Sequence, residues 1–251
     1  MANRPSSHLD WHHTPIGQRV VLEEQPHLAD QVRRFHGDTL VWAGQDTQLA
    51  GSVSRCMVRN CFYAAARGAS AHPELASFEC EVSALSLPSH SIDGFVLHHA
   101  LELERDPRRA LREVARVVVP GGRIVVCAFN ALSVWGIRSF YGRFRDDAFS
   151  SLRFINPLRL FDWLAVLGFE LDEEVSYLGY QLPFSWSKGR GRVSEGLRHF
   201  QPPIGGIYII SAVKQTLGGR VERRNPALGS RKLAPVAYPR IGAWNRVGRD
   251  G

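Results

Sequence analysis

The chain has 251 residues, 44% of them hydrophobic, which suits one α/β domain and would leave two independent domains with little core each. Its formal net charge is +7, but residues 215–251 hold eight Lys/Arg against two acids, so the body before them is near neutral and the basicity belongs to a Pro/Gly-rich end. No stretch approaches the ~18 apolar residues of a membrane-spanning helix, and Met1 to His13 lacks the apolar run of a secretory leader.

The chain-order reading begins with a helix over 14–35. Pro15 suits an early helical position, Val20, Val21, Leu28, Val32 and Phe35 form an imperfect apolar face, and Gln25-Pro26 predicts a break into two pieces. A short buried strand follows at 39–43, then a weak helix over Thr47–Cys56. Val58–Ala66 and Ser77–Val82 read as the second and third strands, and 92–98 as the fourth, after the turn at Ser86–Asp93. Asp106 and Pro107 start the clearest helix: Ala110, Leu111, Val114, Ala115 and Val118 line one face, arginines the other, and Pro120-Gly121-Gly122 is its predicted stop. Arg123–Phe129 is a fifth strand, apolar enough to be buried on both faces.

Residues 130–153 form an insertion rich in aromatics and arginines, partly helical around Leu132–Tyr141. Asn156-Pro157 opens another helix that stops at Gly168. Phe169–Leu178 and Ile207–Val213 are the last strand candidates, separated by the irregular, basic 181–206. Alternating strands and helices with apolar strands predict a Rossmann-like α/β sheet, mostly parallel, with an antiparallel final strand. The organisation expected is an N-terminal helical extension (1–36), the main domain (37–214) and a basic tail (215–251).

Residues 84–130, ALSLPSHSIDGFVLHHALELERDPRRALREVARVVVPGGRIVVCAFN, resemble the class I methyltransferases that use S-adenosylmethionine. The resemblance is nearest to a type-11-like bacterial branch that follows the fifth strand with an asparagine and an "SLWG"-like segment, here Asn130 to Gly136. RFINPLRLFDWLAVLGFE (153–170), GGIYIISAVK (205–214) and the early Thr14–Gly17 fit the same branch. It implies a seven-stranded sheet with S-adenosyl-L-methionine across the carboxyl ends of the first strands. The fold alone does not fix the reaction.

On the family's pattern, the cofactor loop after the first strand falls on Gly44, Gln45 and Asp46, with Gly44 alone of the usual glycines, and Trp42 or Ala43 where an acid usually stands. Asp46 either meets a ligand or caps the next helix, and the cap is the simpler use. The second strand ends in Ala64-Ala65-Ala66-Arg67, without the acid that holds the ribose hydroxyls; Arg67 offers donors suited to an anion. Glu81 and Ser83 would edge the adenine.

His98 is the candidate general base and His99 a substrate contact. Adjacent strand residues point to opposite faces, so one of the two is expected to enter the cleft. Asn130, Trp135, Arg138 and Tyr141 are the acceptor-binding candidates, since aromatics interleaved with arginines suit an anionic or aromatic acceptor. The plainer reading is a packed cover over the sheet.

Glu102 and Glu104 read as a solvated approach to a helix. No histidine or cysteine spacing makes a metal site, and the four cysteines (Cys56, Cys61, Cys80, Cys127) read as reduced thiols in a cytoplasmic protein.

Two functions compete: an S-adenosylmethionine-dependent methyltransferase with a small-molecule acceptor, and a methyltransferase-like protein that binds another, anionic ligand or a protein partner. A homodimer could complete the site. Nucleic-acid binding is not expected, because the short basic tail has few aromatics and no groove-reading motif.

Overall fold

The computed structural model describes residues 11–44, 46–66, 71–137, 152–172, 175–180 and 202–216. Gln45, Arg67, Arg138, Tyr141, the rest of 138–151 within the 130–153 insertion, the 181–201 segment and the tail from 217 lie outside the described residues.

A 3-10 turn at Trp11–His13 leads into α1 (Pro15–Val32). Thr14 caps it: its hydroxyl oxygen accepts from Gly17 N at 3.0 Å and donates to Trp11 O at 2.6 Å. α1 is continuous, against the expected break. Pro26 removes one helical hydrogen bond, but the buried stripe Val20, Glu24, Leu28 and Val32 runs past it on both sides.

The sheet strands are β1 (His36–Gly44), β2 (Met57–Ala65), β3 (Ala76–Glu79), β4 (Ile92–His98), β5 (Val118–Phe129), β6 (Phe169–Leu171), β7 (Ser176–Leu178) and β8 (Ile207–Lys214). They are joined by the four-residue α2 (Thr47–Ala50), α3 (Pro107–Val117) and α4 (Pro157–Val166) among others. Asp106 and Asn156 cap α3 and α4, each followed by proline at the first helical position.

The order is β3-β2-β1-β4-β5-β8-β6, with β7 also on β8. β3 to β5 are parallel; β8 runs antiparallel to β5, β6 and β7. The fold class read from the sequence is therefore the one observed, with eight strands among the described residues where the resemblance implies seven. The single late strand expected at Phe169–Leu178 is two short segments end to end along one edge of β8.

Three boundaries also differ. β1 starts at His36, three residues early. β3 ends at Glu79, because Val82–Ala84 turns into a 3-10 helix whose Val82 N donates to Glu104 Oε1 at 2.9 Å. β5 begins at Val118, so Pro120-Gly121-Gly122 lies within a strand: the pairing with β4 shifts register between Ile92 and Gly94, and Gly121 at φ 82° carries the irregularity.

Strand alternation divides the core into two faces. Val41, Ala43, Phe95, Leu97, Ile124, Val126, Tyr208 and Ile210 pack with α3 and α4 residues. Leu40, Trp42, Val96, Val125, Cys127, Phe129 and Ile209 pack with α1 and Trp11. This second face positions the site.

Cys56 and Cys61 also come together, Sγ to Sγ 3.7 Å, a pairing invisible in their spacing. Burial, then the Cys56 neighbour, pushes the Cys61 thiol up to about 12. Its alkylation at neutral pH is expected to be slow in the native protein and fast after unfolding, as peptide mapping would measure.

Candidate functional site

Strand order reverses between β1 and β4, so the carboxyl ends of these strands form the switch point where open α/β sheets bind ligands. β1 ends there at Gly44. A Cβ on Gly44 would lie 2.7 Å from His98 O, 3.1 Å from His98 Cβ and 3.2 Å from Trp42 Nε1. Glycine is thus required for the close approach of β1 to β4 and to its own neighbour Trp42. Tyr63 OH donates to Gly44 O at 2.7 Å; burial, then the Asp46 carboxylate, pushes that hydroxyl up to about 12.

Asp46 is buried and its Oδ1 accepts from Leu49 N at 3.0 Å, the cap role. Gly44→Ala is expected to destabilise the fold by about 1–3 kcal/mol with or without ligand, because the clash is with backbone. Urea unfolding would measure it.

On the far side of the switch point, β2 ends in buried Ala64 and Ala65. Glu79, in register with Ala65, and Glu81 are exposed, and Ser83 is half-buried. Two carboxylates therefore stand at the end of β3, next to the strand end that lacks one. The Cys80 thiol between them is pushed up to about 11 by burial, then by Glu104 and Glu81.

At the end of β4 both histidines are closed off. His98 and His99 are 1% and 0% exposed. His98 Nε2 lies 3.0 Å from Glu24 Oε2, and His99 Nε2 lies 2.8 Å from Glu24 Oε1. The expectation that they point to opposite faces fails, because His99 leaves the strand at φ 49° and turns its ring to the same carboxylate.

Glu102 is likewise buried, not solvated. Its Oε1 lies 2.8 Å from His99 Nδ1 and accepts from Phe129 N at 2.8 Å. Carboxylate oxygens face both ring nitrogens of His99, which requires both to donate. Burial alone would lower the His99 pKa; the Glu24 carboxylate, then Cys127 and Glu102, raise it well above its ordinary value. Burial would raise the Glu24 carboxyl, but the His99 charge and bonds from both imidazoles outweigh it and bring it down to about 2.

Cys127, paired with His98 across the ladder, adds its Sγ 3.7 Å from His99 Nε2. Rings seal the cluster: Trp11 and Phe129 lie 4.8 and 4.3 Å from the His99 ring, and Trp42 5.7 Å from that of His98. Glu24, His98, His99 and Cys127 thus present ligand atoms within 4.8 Å of one another. Sequence spacing showed no such set, since its members come from α1, β4 and β5.

Asn130 and Trp135, acceptor candidates among the described residues, are also engaged within the protein. Asn130 is buried; its Nδ2 donates to Pro203 O at 3.1 Å and Gly205 O at 2.9 Å, and its Oδ1 accepts from Leu132 N at 2.9 Å. Trp135 stacks on Phe129 at 6.3 Å and packs so close to Gly206 that a Cβ there would meet its ring at 2.6 Å. Both residues tie the start of the insertion to the β7–β8 side.

Residues 49–126 match a family described as a methyltransferase domain. Over that stretch the chain is similar to methyltransferase domains. Its neighbours among solved structures share the fold at low identity. One is a putative methyltransferase from Haloferax volcanii, seen in complex with the Trm112 methyltransferase activator: TM-score 0.61, 14% identity, covering 86% of this chain and 100% of that one. A Thermotoga maritima protein described as a possible histamine N-methyltransferase gives 0.56, 17%, 83% and 99%. A methyltransferase from Archaeoglobus fulgidus gives 0.56, 16%, 81% and 98%. Among curated proteins, the uncharacterized YafS of Escherichia coli K12 is 31% identical over 141 residues, 55% of this chain and 56% of its own length. The chain thus spans about half the length of that relative. Among the described residues no helix is long and apolar enough to cross a membrane.

Proposed function

We propose that the methyltransferase domain binds S-adenosylmethionine across the carboxyl ends of β1 to β4 and passes a methyl group to a small-molecule acceptor. The observation that carries this reading is the strand-order reversal between β1 and β4 with exposed Glu79 and Glu81 beside it. The adenosine half of the cofactor fits these residues: carboxylates at the end of β3 accept from ribose hydroxyls or the adenine amino group, in place of the acid missing from β2. The bound cofactor would supply an electrophilic methyl on sulfur, and the protein's part is alignment of the acceptor. His98 is not the base in this reading, since it is buried against Glu24.

Glu81→Gln is expected to weaken S-adenosylhomocysteine binding about tenfold or more, the loss of one hydrogen bond to a charged acceptor. Equilibrium titration of both proteins would measure it. Equal affinities would remove Glu81 from the site.

A second reading has its own observation. Asp46 caps α2, Gly44 serves sheet packing, and both histidines are held by Glu24. These favour a domain that keeps the fold, transfers no methyl group, and binds another ligand or a protein partner.

A further inference from the structure

We propose that Glu24, His98, His99 and Cys127 form a closed four-ligand site for a divalent transition ion, zinc by its donor set, that clamps α1 to the carboxyl ends of β4 and β5. The proposal is independent of cofactor binding and does not need methyl transfer.

The donors are two imidazoles, one carboxylate and one thiol, the mixed N/O/S set that suits zinc. Bonds of ~2.0–2.3 Å at tetrahedral angles place ligand atoms about 3.3–3.8 Å apart. Donor atoms here are 2.8 Å (His99 Nε2 to Glu24 Oε1), 3.0 Å (His98 Nε2 to the other oxygen, Glu24 Oε2) and 3.7 Å (His99 Nε2 to Cys127 Sγ) apart, and one ligand atom from each of the four residues lies within 4.8 Å of the others. Around one ion the widest pair would close by up to about 1 Å and Glu24 would present a single oxygen.

The outer partner is also in place. Glu102 Oε1 lies 2.8 Å from His99 Nδ1 and is itself fixed by Phe129 N. A metal-bound histidine usually donates its second N–H to such a carboxylate, which fixes ring and tautomer.

The surroundings point to a structural ion rather than a catalytic one. Four protein ligands leave no open position, and Trp11, Trp42 and Phe129 enclose the rings. Binding joins Glu24 on the N-terminal helix to three sheet residues that are distant in sequence.

The test uses the full chain, expressed in zinc-supplemented medium and dialysed against EDTA, with metal content read by mass spectrometry and cobalt(II) as the spectroscopic probe. The expected result is one zinc per chain. The cobalt form should show a thiolate-to-cobalt absorption band in the near ultraviolet and the intense visible bands of a tetrahedral site. The chain carries four cysteines, so a Cys56→Ser/Cys61→Ser/Cys80→Ser variant, which leaves the site intact, should keep the band. Cys127→Ser should lose it, and His98→Ala should lose the metal.

A folded wild-type chain that holds no zinc and gives no thiolate band with cobalt overturns the proposal. So does a band that vanishes in the triple variant, or unchanged metal content in His98→Ala. S-adenosylhomocysteine binding measured on the same samples separates this outcome from failure of the methyltransferase reading.

Discussion

Glu24→Ala is expected to lower the free energy of unfolding by about 3–5 kcal/mol, the cost of removing one partner from a buried ion pair. Glu24 is fully buried between two imidazoles, 2.8 Å from one and 3.0 Å from the other. Its loss leaves both Nε2 atoms without their acceptor and removes one of the two carboxylates that face His99. Alanine also leaves a void under α1, between Val20 and Leu28. Glu24→Gln, which keeps shape but not charge, should fall between wild type and Glu24→Ala. Urea unfolding of the three proteins measures the series. A change within about 0.5 kcal/mol for alanine, typical of a surface position, would show that the cluster does not hold α1 in place.

Trp11→Ala should have an effect of similar size, about 3–5 kcal/mol for a buried aromatic truncated to alanine. Trp11 is 1% exposed and lies edge-on to both His99 and Phe129, at 4.8 and 5.0 Å. Its carbonyl also accepts from Thr14 N at 3.1 Å and from the Thr14 hydroxyl, so the ring and the start of α1 are fixed together. Because Trp11 and Glu24 both touch His99, the double substitution should cost less than the two losses combined, with a coupling of about 0.5–3 kcal/mol. Strict additivity would mean that the ring and the carboxylate act independently.

The parts of the fold that were legible in the sequence are those set by local periodicity. β5 reads as a buried strand because its side chains fill both core faces, Val126 and Ala128 on one and Val125 and Cys127 on the other. α3 reads as a helix because Asp106, Pro107 and an apolar stripe agree.

The site was less legible because it is made by contacts distant in sequence. Glu24 sits four residues from Val20 and four from Leu28, on the buried stripe of α1. That spacing was the available signal, but a charge within an apolar stripe is ordinarily read as a gap in it. Strand alternation predicts that His98 and His99 diverge, and the left-handed turn at His99 cancels it. Gly44 reads in the sequence as a cofactor-loop glycine, and its missing Cβ also makes room for the end of β4. In each case the deciding atom belongs to another element: the Glu24 carboxylate for the histidines, His98 O for the glycine.

The methyltransferase reading stands or falls on one titration: calorimetry of the full folded chain with S-adenosylhomocysteine. The expected result is saturable binding at one site with micromolar affinity. No heat up to millimolar ligand, from protein shown to be folded, would contradict methyl transfer by this domain and leave the ligand-binding or partner-binding alternative.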